Sequence, residues 1–139
     1  MILLDTNVLS EAMRPQPSPT VLAWLDRQPL ESLFVSTVTE AEIRYGLARL
    51  PQGGRRTRLI ESADAMFEDE FAGRILPFDR AAAAAYGEIA SERERRGRPI
   101  SQFDCQIAAI ARSRGAAVAS RDAGAFEGCG LSVIDPWAG

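Results

Sequence analysis

The sequence contains neither histidine nor lysine. Its 139 residues include 16 basic ones, all of them arginine, against 19 acidic ones. Without histidine there is no Ser-His-Asp or Cys-His nucleophile and no HExxH zinc site. Without lysine there is no Schiff-base chemistry and no Walker-A phosphate loop. If the protein is an enzyme, carboxylates must therefore supply its titrating groups.

Cysteines and long apolar runs are scarce as well. Cys105 and Cys129 stand far apart and form no CxxC pattern, so we expect two buried, reduced thiols. No stretch approaches the roughly 20 apolar residues that a membrane span needs. The segment 1–4 is apolar but lacks the basic start of a signal peptide. These features predict a cytoplasmic protein that does not enter the membrane.

The length and composition are those of one globular domain spanning 1–139. Hydrophobic residues make up 46% of the chain and charged residues 25%. The net charge of −3 argues against a general nucleic-acid binder, unless arginines are clustered locally.

Short apolar runs alternate with helical patterns along the chain. The runs predict buried strands at 2–4, 33–35, 75–76, 116–119 and 131–134. Helices are predicted at 7–13, 20–27, from 37 to about 50, 55–71, 80–96 and from 102 to about 114. Asp79 is predicted to cap the fifth of them. This alternation favours an α/β fold with right-handed crossovers and a mostly parallel sheet covered by helices on both faces.

Two details of the helices can be predicted from local patterns. Thr37 and Glu40 have the spacing of a capping box at the start of the third helix, although Ser36 could cap it instead. In the sixth helix, opened by Ser101, the spacing places Phe103 with Ile107 and Ile110 on the inner side.

Several acidic residues are expected at the carboxyl edge of the sheet, where parallel sheets place their sites. Asp5 follows the first strand, Asp122 follows the strand 116–119, and Glu42 lies in the first turns of the helix after the second strand. Asp104 follows a helix, so element order alone does not place it. Each aspartate also has a structural explanation, since Asp5 and Asp104 could cap helices and Asp122 could form an Asx turn.

A cluster of carboxylates at one edge has a physical consequence. Two carboxylates 4 Å apart repel each other by roughly 4 kcal/mol at an effective dielectric constant near 20. A cluster therefore takes up protons or binds a cation. Oxygen ligands without histidine or thiolate favour Mg²⁺ or Mn²⁺, and carboxylate-held Mg²⁺ is a common device for cleaving phosphodiesters.

Four segments carry a resemblance to a known family. They are LLDTNVLSE at 3–11, STVTEAEIRYG at 36–46, PISQFDCQIAAIA at 99–111 and ASRDAGAF at 119–126. In this order and spacing, the sequence resembles the PIN-domain ribonucleases, in particular the VapC- and FitB-like toxins of toxin–antitoxin modules. The resemblance covers essentially the whole chain. It implies a three-layer α/β/α fold and a metal-dependent endoribonuclease that prefers single strands.

The resemblance also implies roles for particular residues. Asp5, Glu42 and Asp104 match the three core acids of the family. Asp122 matches a more variable fourth acid, where relatives often carry asparagine. Positions thought to order the acids or the attacking water are matched by Asn7, Ser36 and Thr39. Ser120 stands where threonine is commoner and keeps a hydroxyl there.

Partners follow from the resemblance too. Such toxins usually form homodimers and are neutralised by a small DNA-binding antitoxin, whose tail presses a basic side chain into the acidic pocket. An arginine can replace the positive charge of the metal in such a pocket.

Binding of RNA requires cationic side chains, and the arginines are the candidates. Arg55 and Arg56 lie in one cluster and Arg98 in another, while Arg121 stands beside Asp122. The signs of charge alternate over 92–96, so the arginines there could instead pair locally on a solvated helix face.

Other function classes fit the sequence less well but stay open. A phosphatase of the haloacid-dehalogenase kind would use Asp5 as nucleophile, but it needs an aspartate where this chain has Asn7, and a lysine. A dinucleotide-binding domain is disfavoured because no GxGxxG follows the first strand. A catalytically weak binding module, active only within an antitoxin or repressor complex, is a further alternative.

Overall fold

A five-stranded parallel sheet forms the centre of the computed structural model, which describes all residues, 1–139. The strands are β1 (Ile2–Leu4), β2 (Leu33–Ser36), β3 (Ile75–Leu76), β4 (Ala117–Ala119) and β5 (Val133–Ile134). Their order across the sheet is β3-β2-β1-β4-β5. Every neighbouring pair is parallel, so all carboxyl ends meet at one edge.

Six helices cover the sheet. They are α1 (Thr6–Ala12), α2 (Pro19–Arg27), α3 (Thr37–Ala48), α4 (Gly54–Ala65), α5 (Arg80–Arg95) and α6 (Gln102–Arg114). Most begin at predicted caps, for example α5 at Asp79 and α6 at Ser101. Gly97 and Gly115, which follow α5 and α6, adopt the positive φ angles of 70° and 66° that favour glycine.

The hydrophobic core has two parts, one on each face of the sheet. Leu3 belongs to the cluster formed with α5 and α6, whereas Leu4 belongs to the cluster formed with α1, α2 and α4. Successive strand residues point to opposite faces, so these neighbouring leucines bury the two sides of β1. The predicted α/β/α fold is therefore confirmed, with both faces of the central sheet covered.

One open alternative was decided, and two local predictions were wrong. Ser36 caps α3 through its Oγ, 3.0 Å from the Thr39 N–H, while Glu40 bonds to Arg44, so Thr37 and Glu40 form no capping box. The predicted helix 55–71 is α-helical only to Ala65 and continues as a π-helical turn, Met66–Glu70. Phe103 is 56% exposed, because it stands in the first turn of α6, where little covers it.

None of the helices combines the length and the apolar character that crossing a lipid bilayer requires.

Candidate active site at the carboxyl edge of the sheet

Asp5 lies directly after β1 and is held from two sides. Its side chain caps α1, since Oδ1 accepts the N–H of Thr6 at 2.8 Å. Oδ2 accepts the hydroxyl of Ser120 at 2.8 Å, and the backbone N–H of Asp5 donates to the carbonyl of Ala119 at 2.9 Å. Asp5 therefore caps α1 as the sequence suggested. This capping role does not explain why Oδ2 is bound by Ser120, which directly follows β4.

The environment of Asp5 disfavours its negative charge. The residue is 6% exposed, and burial is the largest cause that raises the pKa of its carboxyl group above the ordinary value. The hydrogen bonds from Ser120 and Thr6 oppose this rise. The nearby carboxylates of Asp104 and Glu42 add to it. Asp5, Glu42 and Asp104 therefore belong to one electrostatic neighbourhood, although element order alone had not placed Asp104 there.

Glu42 is oriented by a residue that the sequence analysis missed. The hydroxyl of Thr6 donates to Oε1 of Glu42 at 2.9 Å and lies 3.0 Å from the hydroxyl of Thr39. Thr39 is fully buried, in the first turn of α3. The sequence did offer a signal for Thr6, because this residue lies between Asp5 and Asn7, two residues that were already candidates for the site.

Asp104 and Asp122 are held less firmly than Asp5. Asp104 stands in the first turn of α6, where its backbone N–H donates to Oγ of Ser101 at 3.2 Å. Its half-buried carboxylate accepts no hydrogen bond from another residue. Asp122 is exposed, and its backbone N–H donates to Oγ of Ser120 at 3.0 Å. Because the hydroxyl of Ser120 also donates to Asp5, the backbone of Asp122 is connected to Asp5 through Ser120.

Ser120 is the polar centre of this edge. It is fully buried, donates to Asp5, and accepts from Nδ2 of Asn7 at 3.2 Å and from the N–H of Asp122. Asn7 also accepts the N–H of Arg121 at 3.3 Å through Oδ1. Asn7 therefore fixes the segment 120–122 against the start of α1. An amide has no proton that it can transfer near neutral pH, so Asn7 does not replace the aspartate that a phosphatase site needs at this position.

The donor set of the edge fits a hard divalent cation. It offers carboxylate and hydroxyl oxygens, with no histidine, and the charge of Asp5 is disfavoured where it stands. Cys105 does not compete as a ligand, because burial raises the pKa of its thiol to about 11. The acids do not form a closed cage, since no three acidic or thiol side chains lie close enough to enclose an ion.

The candidate RNA-binding arginines divide into distinct environments. Arg55 is exposed and lines a cavity that Thr6 and Glu42 also line. Arg56 is half-buried, and its Nε has no hydrogen-bond partner. Arg121 lies over the ring of Trp137, 4.9 Å from its centre. Arg98 pairs with Glu127 at 3.3 Å.

The arginines near the end of α5 are engaged within the protein, two of them in the local pairs that the alternating charges had suggested. Arg95 and Arg96 pair with Glu92 at 2.6 and 3.1 Å. Arg93 is buried, and its guanidinium donates to the carbonyls of Arg98, Ala125 and Glu127. It holds the segment 125–129 against α5.

Comparisons with known proteins agree with this fold. The family model described as "PIN domain" matches residues 2–128. The chain is 46% identical to the plasmid stability protein StbB of Pseudomonas syringae and 45% identical to toxin FitB of Neisseria gonorrhoeae, each over 99% of both chains. It is 43% identical to a VapC ribonuclease of Sinorhizobium fredii, over 99% of this chain and 98% of that one.

Solved structures give the same picture. The structure of FitAB bound to a DNA fragment superposes with a TM-score of 0.94 at 45% identity, over 99% of this chain and 96% of that chain. The crystal structure of FitAcB from Neisseria gonorrhoeae gives a TM-score of 0.88 at 42% identity, over 99% of both chains.

Proposed function

Because the chain belongs to the PIN-domain family, we propose that it is an endoribonuclease and the toxin of a toxin–antitoxin pair. The observation that carries the proposal is the buried Asp5 carboxylate with Glu42 and Asp104 in its electrostatic neighbourhood, at the carboxyl edge of a parallel sheet. Relatives named as a ribonuclease and as a toxin support the activity and the biological role.

We further propose that the nuclease depends on Mg²⁺ or Mn²⁺, held by Asp5, Glu42 and Asp104, with Asp122 assisting. Held by these carboxylates, a divalent cation would supply positive charge to the phosphate oxygens and would acidify the attacking water. The all-oxygen donor set supports this choice of metal. Asp122 is exposed, whereas Asp5 is buried, which supports an auxiliary role for Asp122.

The chain's own residues would position these acids for the reaction. Ser120 and the N–H of Thr6 fix both oxygens of Asp5, so this carboxylate enters the reaction already oriented. The hydroxyl of Thr6 fixes one oxygen of Glu42 and leaves the other free. Thr39, anchored by the capping Ser36, sets the position of Thr6. Preorganised ligands reduce the reorganisation that the reaction would otherwise require.

We propose a cognate antitoxin as the protein partner. The solved relatives include FitAB bound to a DNA fragment and FitAcB from Neisseria gonorrhoeae. An apolar cavity of about 470 Å³ lies between α1, α2 and α4 and would receive the apolar face of an antitoxin helix. It shares Met13 and Leu59 with the cavity beside Glu42, so a bound helix would end close to the acids.

A homodimer is also proposed. Exposed apolar surface on α3 supports the dimer. Tyr45 is 65% exposed, and Ala41 and Ala48, which lie on the same face of the helix, are exposed too. Light scattering on the purified protein tests it. A mass of about twice 15.1 kDa supports the dimer, and a monomeric mass at micromolar concentration contradicts it.

Cleavage of defined RNAs tests the proposed function. Purified protein with millimolar Mg²⁺ should cut single-stranded RNA faster than a duplex of the same sequence, and Asp104→Asn should remove this activity. Glu94→Gln, an exposed surface change that no ion pair accompanies, is the matched control and should cleave normally. If wild type leaves every RNA intact while it binds the antitoxin, the chain acts as a binding module.

A further inference from the structure

The cavity beside Glu42 has a wall that carries positive charge. It has a volume of about 390 Å³, within the roughly 300–1,000 Å³ of ordinary ligand sites, and we call it the arginine cavity. Glu42 and Thr6 line it on the side of the acids, and Arg14, Arg55 and Ser10 line it elsewhere. A ligand in this cavity would therefore meet guanidinium groups and lie directly beside the candidate catalytic acids.

Both arginines have donors to spare. Arg55 is exposed and has no partner among the ion pairs of the structure. Arg14 uses Nη1 to bond Glu11 at 3.2 Å, and the remaining N–H groups of its guanidinium stay available. Glu11 is buried and also accepts the N–H of Ser18 at 3.0 Å, so it anchors Arg14 at the rim.

Gly46 keeps the arginine cavity open. It follows Glu42 by four residues on α3, so the two lie one turn apart on the same face of the helix. A Cβ at Gly46 would meet nothing within 4 Å, and the residue lines the cavity. Any larger side chain at this position would project into the space next to Glu42.

We propose that the arginine cavity holds the RNA strand next to the scissile phosphate, with Arg55 and Arg14 binding its backbone phosphates. This rests on the proposed nuclease function and assigns it a substrate subsite. Guanidinium groups bind phosphate oxygens through paired, charge-assisted hydrogen bonds. The same positive charges would repel a basic antitoxin tail, which favours RNA over such a peptide as the occupant.

Binding of a labelled RNA in the presence of a chelator tests the proposal without cleavage. Fluorescence anisotropy of a fluorescein-labelled single-stranded oligoribonucleotide gives the affinity and its salt dependence. Arg55→Ala should weaken binding about tenfold and reduce the salt slope by roughly 0.7, as expected for one lost phosphate contact. Gly46→Glu should weaken binding at least as much, because it fills the cavity and adds negative charge.

Matched variants exist for both changes. Arg95→Ala removes an exposed arginine far from the candidate acids. Arg95 and Arg112 line one cavity, and Arg112 also lines a cavity with Met1, which precedes β1 and so lies at the opposite edge of the sheet. Gly87→Glu changes a mid-helix glycine of α5 that also has nothing within 4 Å of its Cβ position. Both should bind RNA as wild type does. Replacing a helical glycine favours the helix, so Gly46→Glu should melt no lower than wild type.

Several outcomes would overturn the proposal. One is that each cavity variant binds RNA as tightly as its control, that is, Arg55→Ala as tightly as Arg95→Ala and Gly46→Glu as tightly as Gly87→Glu. Another is unchanged RNA binding by the two cavity variants with weakened antitoxin binding, which would assign the cavity to the antitoxin. Failure of the nuclease function is seen separately, as wild type that binds the RNA but does not cut it when Mg²⁺ is restored.

Discussion

Ser120 donates a hydrogen bond from its hydroxyl to Oδ2 of Asp5 over 2.8 Å, although the two residues lie 115 positions apart in the chain. The bond connects the ends of β4 and β1, which are neighbours in the sheet. Ser120 also accepts from Asn7 and from the N–H of Asp122. One buried hydroxyl thus links three of the residues that the family resemblance assigns to the site.

Removing this hydroxyl should destabilise the protein. Ser120→Ala leaves Oδ2 of Asp5 and the donor of Asn7 without their buried partner. A lost buried hydrogen-bond partner costs about 1–3 kcal/mol, so the free energy of unfolding in urea should fall by that amount. Ser120→Thr keeps the hydroxyl and should retain most of the stability. A loss as large for threonine as for alanine would mean that packing, and not hydrogen bonding, matters at this position.

The raised pKa of Asp5 predicts a pH dependence of stability in metal-free protein. The folded state holds the proton more tightly than the unfolded state, whose aspartate pKa is about 3.9. Stability from this group is therefore present at low pH and is lost as the pH rises from about 4 through the raised pKa. The same decline should be absent in Asp5→Asn.

Urea unfolding of both proteins with a chelator, measured from pH 4 to pH 7, checks this difference in slope. The quantity compared is the slope of the free energy of unfolding against pH. The absolute values differ for another reason, because the amide of asparagine cannot accept hydrogen bonds from both Thr6 and Ser120 as the carboxylate does. Parallel pH profiles for the two proteins would contradict the raised pKa.

Much of this molecule could be predicted from local sequence patterns. The parallel strands, the caps Asp79 and Ser101, and the positions of Asp5 and Glu42 at the carboxyl edge follow from periodicity and element order. The order of elements could not place Asp104, because α6, which carries it, follows the helix α5 and not a strand. Only the packing of α6 beside the sheet brings it near Asp5.

Features that depend on distant contacts escaped prediction. Arg93 looked like one of a run of surface arginines, but the segment 125–129 folds over it and takes up its donors. Thr6 looked like an ordinary helix residue, yet it bonds to Glu42 across the gap between α1 and α3. Periodicity placed Phe103 inside, but no neighbouring element extends far enough to cover it.

The hydroxyl of Thr6 should matter for catalysis more than for folding. Thr6→Val keeps the shape but removes the hydrogen bonds to Glu42 and Thr39. Misplacement of Glu42 should lower kcat of RNA cleavage about 10- to 100-fold with little change in KM. Thr57→Val, at an exposed threonine that bonds only to the Gly53 carbonyl, is the control and should keep full activity. Equal kcat values for wild type and Thr6→Val would show that Glu42 needs no such support.

Divalent metal should stabilise the fold by relieving repulsion between the acids. At a Mg²⁺ concentration ten times Kd, linkage gives about 1.4 kcal/mol and a rise in Tm of roughly 4 °C. Thermal denaturation with and without 5 mM Mg²⁺ measures this rise in Tm. Glu42→Gln is the test variant, and Glu88→Gln, which changes a surface residue paired with Arg112, is the control. The control should show the full shift and Glu42→Gln a smaller one. No shift in wild type would count against a metal site at this edge.

The central claim is that Asp5 and its neighbouring acids cleave RNA with a divalent metal. The most direct measurement is the cleavage rate of one single-stranded RNA by wild type and by Asp5→Asn, each with Mg²⁺ or Mn²⁺ and with excess chelator. We predict cleavage by wild type with either metal, a rate at least 100-fold lower for Asp5→Asn, and none with chelator. Equal rates for the two proteins, or cleavage that persists in excess chelator, would contradict the claim.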